Sequence, residues 1–347
     1  MRAAAVQRDP WSVREEDFPG LGSAAEKLRF ALRYAILAPS SHNSQPWWFR
    51  IVGDHVDLYA DRTRALPVVD PDDRELVISC GAALYHLRLA LRFFGYRDVT
   101  TVLPDPADPD FMARVEIDGV HRTTDEERRL FRAIVTRRTN RRVFESRPLP
   151  EDALAAMEEA AEIEGAHLAV AVDPRVREEI AKLVSQGDLM QMSDAHFRRE
   201  LASWIHPARR GSRDGMPGTA LGVSEILESL ATPGISLAIR TFDLGKGRAA
   251  RDRALAEGSA ALATIWTAGQ SPGPWIHAGQ GMARVLLNAA AAEISASHLN
   301  QPIEVAALRP MLAQAIGVTG HPQVLLRVGY GASPEPTPRR AVEDVLA

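Results

Sequence analysis

Cysteine occurs once in the 347 residues, at Cys80. The chain therefore has no internal disulfide and no cysteine-built zinc finger or cluster, and a reducing cytoplasm is its expected home. An excess of one charge is also missing: 41 Lys and Arg against 45 Asp and Glu leave a net −4. That gives no global attraction to nucleic acid or to an anionic membrane. Arg, His or Gly breaks every apolar stretch well before the roughly 18 residues that a membrane span needs. The opening Met1–Pro10 lacks the apolar core of a secretory signal. The usual catalytic patterns are absent too. There is no HExxH, no G-x-S-x-G, and no G-x-G-x-x-G after a strand. Gly245-Lys-Gly247 lacks the upstream Gly and the following Ser or Thr of a phosphate loop. The histidines are scattered, so no metal site is expected, and His277, His298 and His321 read as surface or structural residues. No side-chain nucleophile, acid or base stands out.

What is present is an ordinary globular composition, 46% hydrophobic and 25% charged, at a length that suits about two domains of about 150 residues each. Residues 1–22 read as a loosely ordered leader. A first half, 23–123, opens with an N-cap at Ser23 and Glu26 three residues on. Two strands follow around Gly53, Trp47–Val52 among them, and then a long helix from Arg74 to Phe94. Leu76, Cys80, Ala83, Leu84, Leu87 and Leu91 mark that helix's buried stripe, which makes Cys80 a core residue. Val99–Leu103 and Phe111–Ile117 close the half as strands. A second half, 124–347, contains a helix ending at Arg137–Arg142 and helices over 150–164, 175–191 and 194–205. It also contains strands over 168–172, 260–267 and 323–328, a long helix over 276–299 and another over 305–316. The two long helices suggest an internal repeat that sequence identity alone does not establish. His206–Gly222 holds four Gly and two Pro and reads as a long loop of the kind that often forms a functional lid.

Two segments carry chemistry. Ala38-Pro-Ser-Ser-His-Asn-Ser-Gln-Pro-Trp47 sets a cluster of hydrogen-bonding side chains between a helix end and a buried strand. It is either a polar turn or an edge that matches the donors and acceptors of a planar ligand. Thr136-Arg-Arg-Thr-Asn-Arg-Arg142 brings guanidinium forks together at a helix exit. It is either a solvated basic run or a site for a phosphate monoester.

The first segment closely resembles the P-S-S-x-N-x-Q-P-W motif of the nitroreductase-like flavoproteins. The second resembles their R-R-S-x-R motif, with Thr139 in place of Ser. Val328-Gly-Tyr-Gly331 followed by Arg339-Arg340 is similar to the family's closing strand and trailing basic residues. The resemblance runs from about Ser23 to Arg340. It implies an α+β nitroreductase-like sandwich and FMN as cofactor, with NAD(P)H as electron donor. In that family two identical subunits build each flavin site, one giving the Arg motif and the other the Ser/Asn/Gln motif. Here the Ser/Asn/Gln motif lies in the first half and the Arg motif in the second, while Glu164-Gly-Ala-His-Leu168 stands where a second Ser/Asn/Gln motif would be. The layout resembles the family's Acg-type branch: a fused pseudo-dimer, able to be monomeric, with one composite site.

Carried over by position, Arg137, Thr139 and Arg141 would hold phosphate and ring oxygens, with Arg138 pointing away. Ser40, Ser41 and Asn43 would reach in from the other half, and Gln45 would contact the cofactor or brace the loop. Arg339 or Arg340 would complete the phosphate cage, and Gly269 would offer a backbone amide near the flavin. Trp47 and Trp48 are expected in the core rather than stacked on flavin. The implied activity is transfer of electrons from NAD(P)H through FMN to a nitro or quinone acceptor, the flavin carrying the chemistry. The alternative is a flavin store with little turnover.

Overall fold

The computed structural model describes residues 9–206, 212–217, 234 and 236–347. In the first half, helix α1 (Ala24–Ala35) starts at the expected capping box, in which the Ser23 side chain and Glu26 bond each other's backbone amides. Strands β1 (Trp47–Val52) and β2 (His55–Ala60) form a hairpin whose turn needs the positive φ of Gly53. Helix α2 (Arg74–Phe93), β3 (Tyr96–Val102) and β4 (Phe111–Val120) follow. The four strands make one antiparallel sheet in the order β1-β2-β4-β3.

The second half repeats this plan with insertions. After α3 (Asp125–Thr136) and α4 (Glu151–Ile163) comes β5 (His167–Ala171). Helices α5 (Pro174–Ser193), α6 (Ala195–Ser203) and α7 (Gly245–Glu257) then precede β6 (Ala261–Thr267). The long helix α8 (Pro272–Ala291) leads to β7 (Ser295–His298). Helices α9 (Gln301–Glu304) and α10 (Arg309–Ile316) are set in before β8 (His321–Gly329). The sheet order β5-β6-β8-β7 matches that of the first half strand for strand, again antiparallel throughout.

The expected helix over 276–299 is corrected at both ends. It begins four residues earlier, at Pro272, and stops at Ala291. Glu293 then turns through φ 58°, and Ser295–His298 leave to pair with β8. The alanine-rich run would continue a helix by propensity, but cross-strand pairing overrides it. The expected helix over 305–316 likewise starts at Arg309, after Val305 adopts extended backbone.

Helix α2 is long and apolar enough to cross a membrane by composition, yet 83% of its apolar window is buried inside the protein. It packs against α8, and the contact is close because each helix has a glycine as its eighth residue, Gly81 and Gly279. A Cβ on Gly81 would fall on the Ile276 carbonyl oxygen, and one on Gly279 on that of Ile78. Around this crossing a continuous core draws on both halves, including Trp47, Phe49, Leu84, Phe131, Ile265, Leu287 and Leu326. Cys80, fully buried, is part of it, its thiol donating to the Pro46 carbonyl at 3.2 Å. Trp48 stacks on Tyr59 at 4.2 Å.

Both ends of the described chain cross between halves. The Phe49 amide of β1 donates to Val345 at 2.7 Å, and the Ala347 amide donates back to Phe49 at 2.9 Å. Of the leader, two aromatic residues pack on the body of the fold: Phe18 stacks on Phe94 at 3.9 Å, and the Trp11 indole donates to the Thr337 carbonyl at 2.8 Å.

Gly81→Ala and Gly279→Ala are expected to destabilise the protein by about 1–3 kcal/mol each, because the backbones must part. Gly247→Ala, at an exposed helical position with nothing within 4 Å of the new methyl, should instead stabilise by about 0.5–1 kcal/mol. Urea titrations of the three variants check the contrast.

His86 is fully buried between α1 and α2, its Nδ1 3.2 Å from the Tyr34 carbonyl and its Nε2 unpartnered. Burial, and then the nearby Arg137, pull its pKa down to about 3. The folded state therefore stays neutral where the unfolded chain binds a proton, so stability is lost as pH falls below about 6.5. His86→Gln should lose about 2 kcal/mol less than wild type between pH 6.5 and 5. Parallel slopes in denaturant titrations at the two pH values would show that His86 titrates normally.

Candidate functional site

A cavity of about 850 Å³ lies between the halves. From the first half it is lined by Pro39–His42 and by Glu75, Ile78 and Ser79 at the start of α2. From the second half come Arg141, His298, Gln323 and Arg327, and the inserted α5–α7 region adds Met192, Phe197, Leu201 and Arg248.

The Ser/Asn/Gln loop reaches this cavity through strained backbone. His42, Asn43 and Gln45 all have φ above 50°, a region that non-glycine residues hold only when the surroundings over-determine it. The loop's own side chains do so. Ser40 Oγ accepts from the Gln45 amide at 2.9 Å. Asn43 Nδ2 donates to the Gly215 and Pro338 carbonyls, each at 3.0 Å, and its Oδ1 accepts from Arg339 at 2.8 Å. Gln45 Nε2 donates to the Arg213 carbonyl at 2.8 Å, and its Oε1 accepts from the Arg340 amide at 2.8 Å. Ser41 Oγ donates to Glu75. The expected site residues thus separate: Ser40, Ser41 and Arg141 line the cavity, whereas Asn43 and Gln45 brace the loop behind it.

The basic segment follows α3 and sends Arg137 into the interior and Arg141 to the cavity wall. Arg137 and Arg339, 4% and 5% exposed, both donate to the Leu37 carbonyl at 3.3 Å, and each keeps an unpartnered Nε. Thr139 pairs with Ala296 beside β7. Arg138 turns away and lies over the Trp11 ring at 4.4 Å. Arg141 contacts the Met216 sulfur at 4.0 Å. Arg340 bonds the Gln45 carbonyl at 3.1 Å and faces Asp61 at 3.7 Å. Gly269 is not brought in: its carbonyl accepts from Thr267 at 2.9 Å, and it packs on Pro274 outside the cavity wall.

Arg327 was not anticipated. It sits 1% exposed in the middle of β8, with Nε and Nη1 unpartnered. Its signal was a lone charge inside the apolar run Val324-Leu-Leu-Arg-Val328. Among the described residues, no carboxylate pairs with Arg137, Arg141, Arg327 or Arg339. Burial pulls Arg137, Arg141 and Arg327 down to about 10, and burial followed by Arg137 lowers Arg339 well below its usual value. Buried cations without counterions are costly, and an anion with several acceptor oxygens would relieve them. His298, expected at the surface or in a structural role, lines the cavity instead, as does His42. Burial pulls both to about 3, so both imidazoles are neutral.

The long loop 206–222 falls partly outside the described residues, which omit 207–211 and 218–222. Its described part, Ser212–Pro217, is fastened to the Ser/Asn/Gln loop. The Gly215 amide donates to the Asn43 carbonyl at 3.3 Å, Arg64 bridges the Ser44 carbonyl and Asp214, and Met216 lines the cavity. The counterpart position in the second half is filled differently. Glu164, 6% exposed, pairs with Arg88 and Arg284, each at 3.0 Å, and its carbonyl accepts from His277 at 2.9 Å.

No family model matches the chain. A Mycobacterium tuberculosis protein named provisionally as an NAD(P)H nitroreductase is 32% identical over 330 residues, covering 93% of this chain and 91% of the relative. A second protein of that organism, uncharacterised, is 30% identical with 92% of each chain covered. A third, acg, also named provisionally as an NAD(P)H nitroreductase, is 28% identical and covers 92% of this chain and 95% of its own. Among solved structures, the FMN- and NADPH-dependent nitroreductase NfnB from Sphigopyxis sp. strain HMH aligns at TM-score 0.42 and 16% identity, over 63% of this chain and 97% of that one. With near-full-length kinship at 32% identity, the chain belongs to the nitroreductase-like family that includes the acg protein.

Proposed function

We propose that the chain binds one FMN between its halves and acts as an NAD(P)H-dependent oxidoreductase that passes electrons to a nitro or quinone acceptor. The observation that carries this reading is a set of guanidiniums without carboxylate partners, the buried Arg137, Arg327 and Arg339 and the half-buried Arg141, gathered behind and along a cavity that the Ser40–Asn43 loop closes from the other half. The unpartnered Nε atoms of Arg137 and Arg339 suit a phosphate dianion. A cavity of about 850 Å³ is of the size that holds a cofactor. The residues present therefore fit FMN, which when bound supplies the hydride and electron transfer.

The chain's own residues bind and orient. Arg137 and Arg339 would hold the phosphate, and Arg141, on the cavity wall, the polar edge of the ring. Ser40 and Ser41 would meet that edge from the first half, and the neutral His42 and His298 add hydrogen-bonding groups without further charge. The apolar Met192, Phe197 and Leu201 exclude water from the wall opposite these groups' charge. A single site per chain, and a chain that functions as a monomer, are supported by the Glu164 ion network that occupies the second pseudo-equivalent position. Names of relatives are consistent with this reading: NAD(P)H nitroreductase for two of them.

Released flavin measured against protein should give one FMN per chain. Charge-assisted bonds of this kind contribute about 1.5–3 kcal/mol. Arg339→Ala should therefore weaken FMN roughly tenfold to a hundredfold while leaving riboflavin affinity unchanged. Arg141→Ala should weaken both ligands. Two flavins per chain, or wild-type protein that binds no FMN, overturns the proposal.

The fastening of Ser212–Pro217 favours a second reading, in which the protein stores flavin with little turnover. Asp214→Ala frees this segment from Arg64 and from His206, 3.0 Å away. A store then shows faster flavin reduction by NADPH and faster flavin loss. An enzyme whose strap only shapes the pocket shows altered KM for the acceptor at unchanged flavin content. Stopped-flow reduction and flavin release, measured together, separate the two.

A further inference from the structure

The start of the described chain lies against the basic residues behind the cavity. A single turn, Pro10–Ser12, is opened by Asp9, whose Oδ1 accepts from the Trp11 amide at 3.1 Å. The guanidinium carbons of Arg138 and Arg339 lie 4.4 and 5.1 Å from the centre of the half-buried Trp11 ring. The indole N–H donates to the Thr337 carbonyl at 2.8 Å, and the Thr337 hydroxyl accepts from Arg339 Nη1 at 2.6 Å. Trp11 therefore meets Arg339 in two ways, directly through its ring and indirectly through Thr337.

We propose that Trp11 is a positioning residue for the phosphate of FMN, acting by holding the Arg339 guanidinium in its binding orientation. The proposal rests on the reading that Arg339 meets the phosphate. Burial, then the Arg137 and Arg138 charges, oppose the charge on Arg339, because like charges repel strongly in an interior that screens them poorly. Arg138 has the carboxylates of Asp9 and Glu335 facing it. Arg339 has no carboxylate partner among the described residues. The face of an indole attracts a guanidinium through its quadrupole. Trp11 thus offsets the repulsion without a carboxylate, which would compete with an arriving anion for the same cation.

Orientation follows from the remaining bonds. Asn43 Oδ1 and Thr337 Oγ1 take Nη1, and the Leu37 carbonyl takes Nη2. Nε is left without a partner. The guanidinium is planar with its donors in a fixed fork, so a ring that holds the plane also holds the direction of the Nε–H.

The test is the affinity of the full-length chain, freed of flavin, for FMN and for riboflavin in phosphate-free buffer, followed by flavin fluorescence. Trp11→Ala should weaken FMN about tenfold and leave riboflavin unchanged, since only FMN carries the phosphate. Trp11→Phe keeps a ring beside the guanidinium and loses the N–H to Thr337, so it should weaken FMN about threefold. Combined with Arg339→Ala, neither substitution should weaken FMN further, because the group it acts through is gone. A merely structural role would weaken both flavins and would add to the effect of Arg339→Ala. Equal losses for FMN and riboflavin, or the same loss of FMN with and without Arg339, overturn the proposal, and the Trp11→Phe series decides it if Trp11→Ala does not fold. The two readings fail separately. If Arg339→Ala weakens FMN and the Trp11 variants do not, the positioning role alone falls. An FMN affinity unmoved by Arg339→Ala overturns the phosphate reading of Arg339 and this role with it.

Discussion

The approach of α2 to α8 at Gly81 and Gly279 sets the distance between the halves, and everything at the cavity depends on that distance. With a side chain at either glycine, the helix backbones could not come so close. The start of α2, with Glu75, Ile78 and Ser79, would then move away from β8 and from the Arg141 segment that face it across the cavity. The crossing also explains why the core is continuous. Two sheets of identical strand order pack on the crossed long helices, and one core cluster runs through both halves, so neither half buries its apolar face alone.

A second constraint follows from the first. A tightly closed interface buries whatever polar groups it contains, and this one buries guanidiniums. Arg137 and Arg339 use the Leu37 carbonyl as a shared, partial acceptor. That leaves like charges close together in a medium that screens them poorly. Folding tolerates such an arrangement when the rest of the core is large, and binding benefits from it, since the donors are already ordered before an anion arrives. The stability of the empty chain and its affinity for an anionic ligand are therefore opposed at these residues.

Much of the plan was legible in the sequence. The capping box at Ser23, the hairpin around Gly53, the stripe of α2 with Cys80 inside it, and the two polar and basic segments all depend on local signals that survive folding. What was not legible depends on partners distant in sequence. The end of α8 is set by the pairing of β7 with β8, so an alanine-rich run could not reveal it. The motif segments could be located, but not which of their side chains face the cavity. Asn43 turns to the Pro338 carbonyl and Gln45 to the Arg340 amide, both contributed by the tail. Arg327 left a trace, a charge within an apolar strand.

The asymmetry between the halves is best understood as a consequence of fusion. When the two sheets belong to one chain, assembly is intramolecular and needs no matching second interface, so the pseudo-equivalent positions are free to diverge. On one side the loop before β1 keeps its strained, hydrogen-bonded form and opens on the cavity. On the other, Glu164 is clamped between Arg88 and Arg284, with Arg88 held in turn by Asp98 at 3.0 Å. A carboxylate between two guanidiniums satisfies the buried charge internally and leaves nothing for an external anion to do. The inserted helices α5–α7 lie in the second half alone and supply wall to the cavity, so two halves of the same sheet order differ in what is built around them.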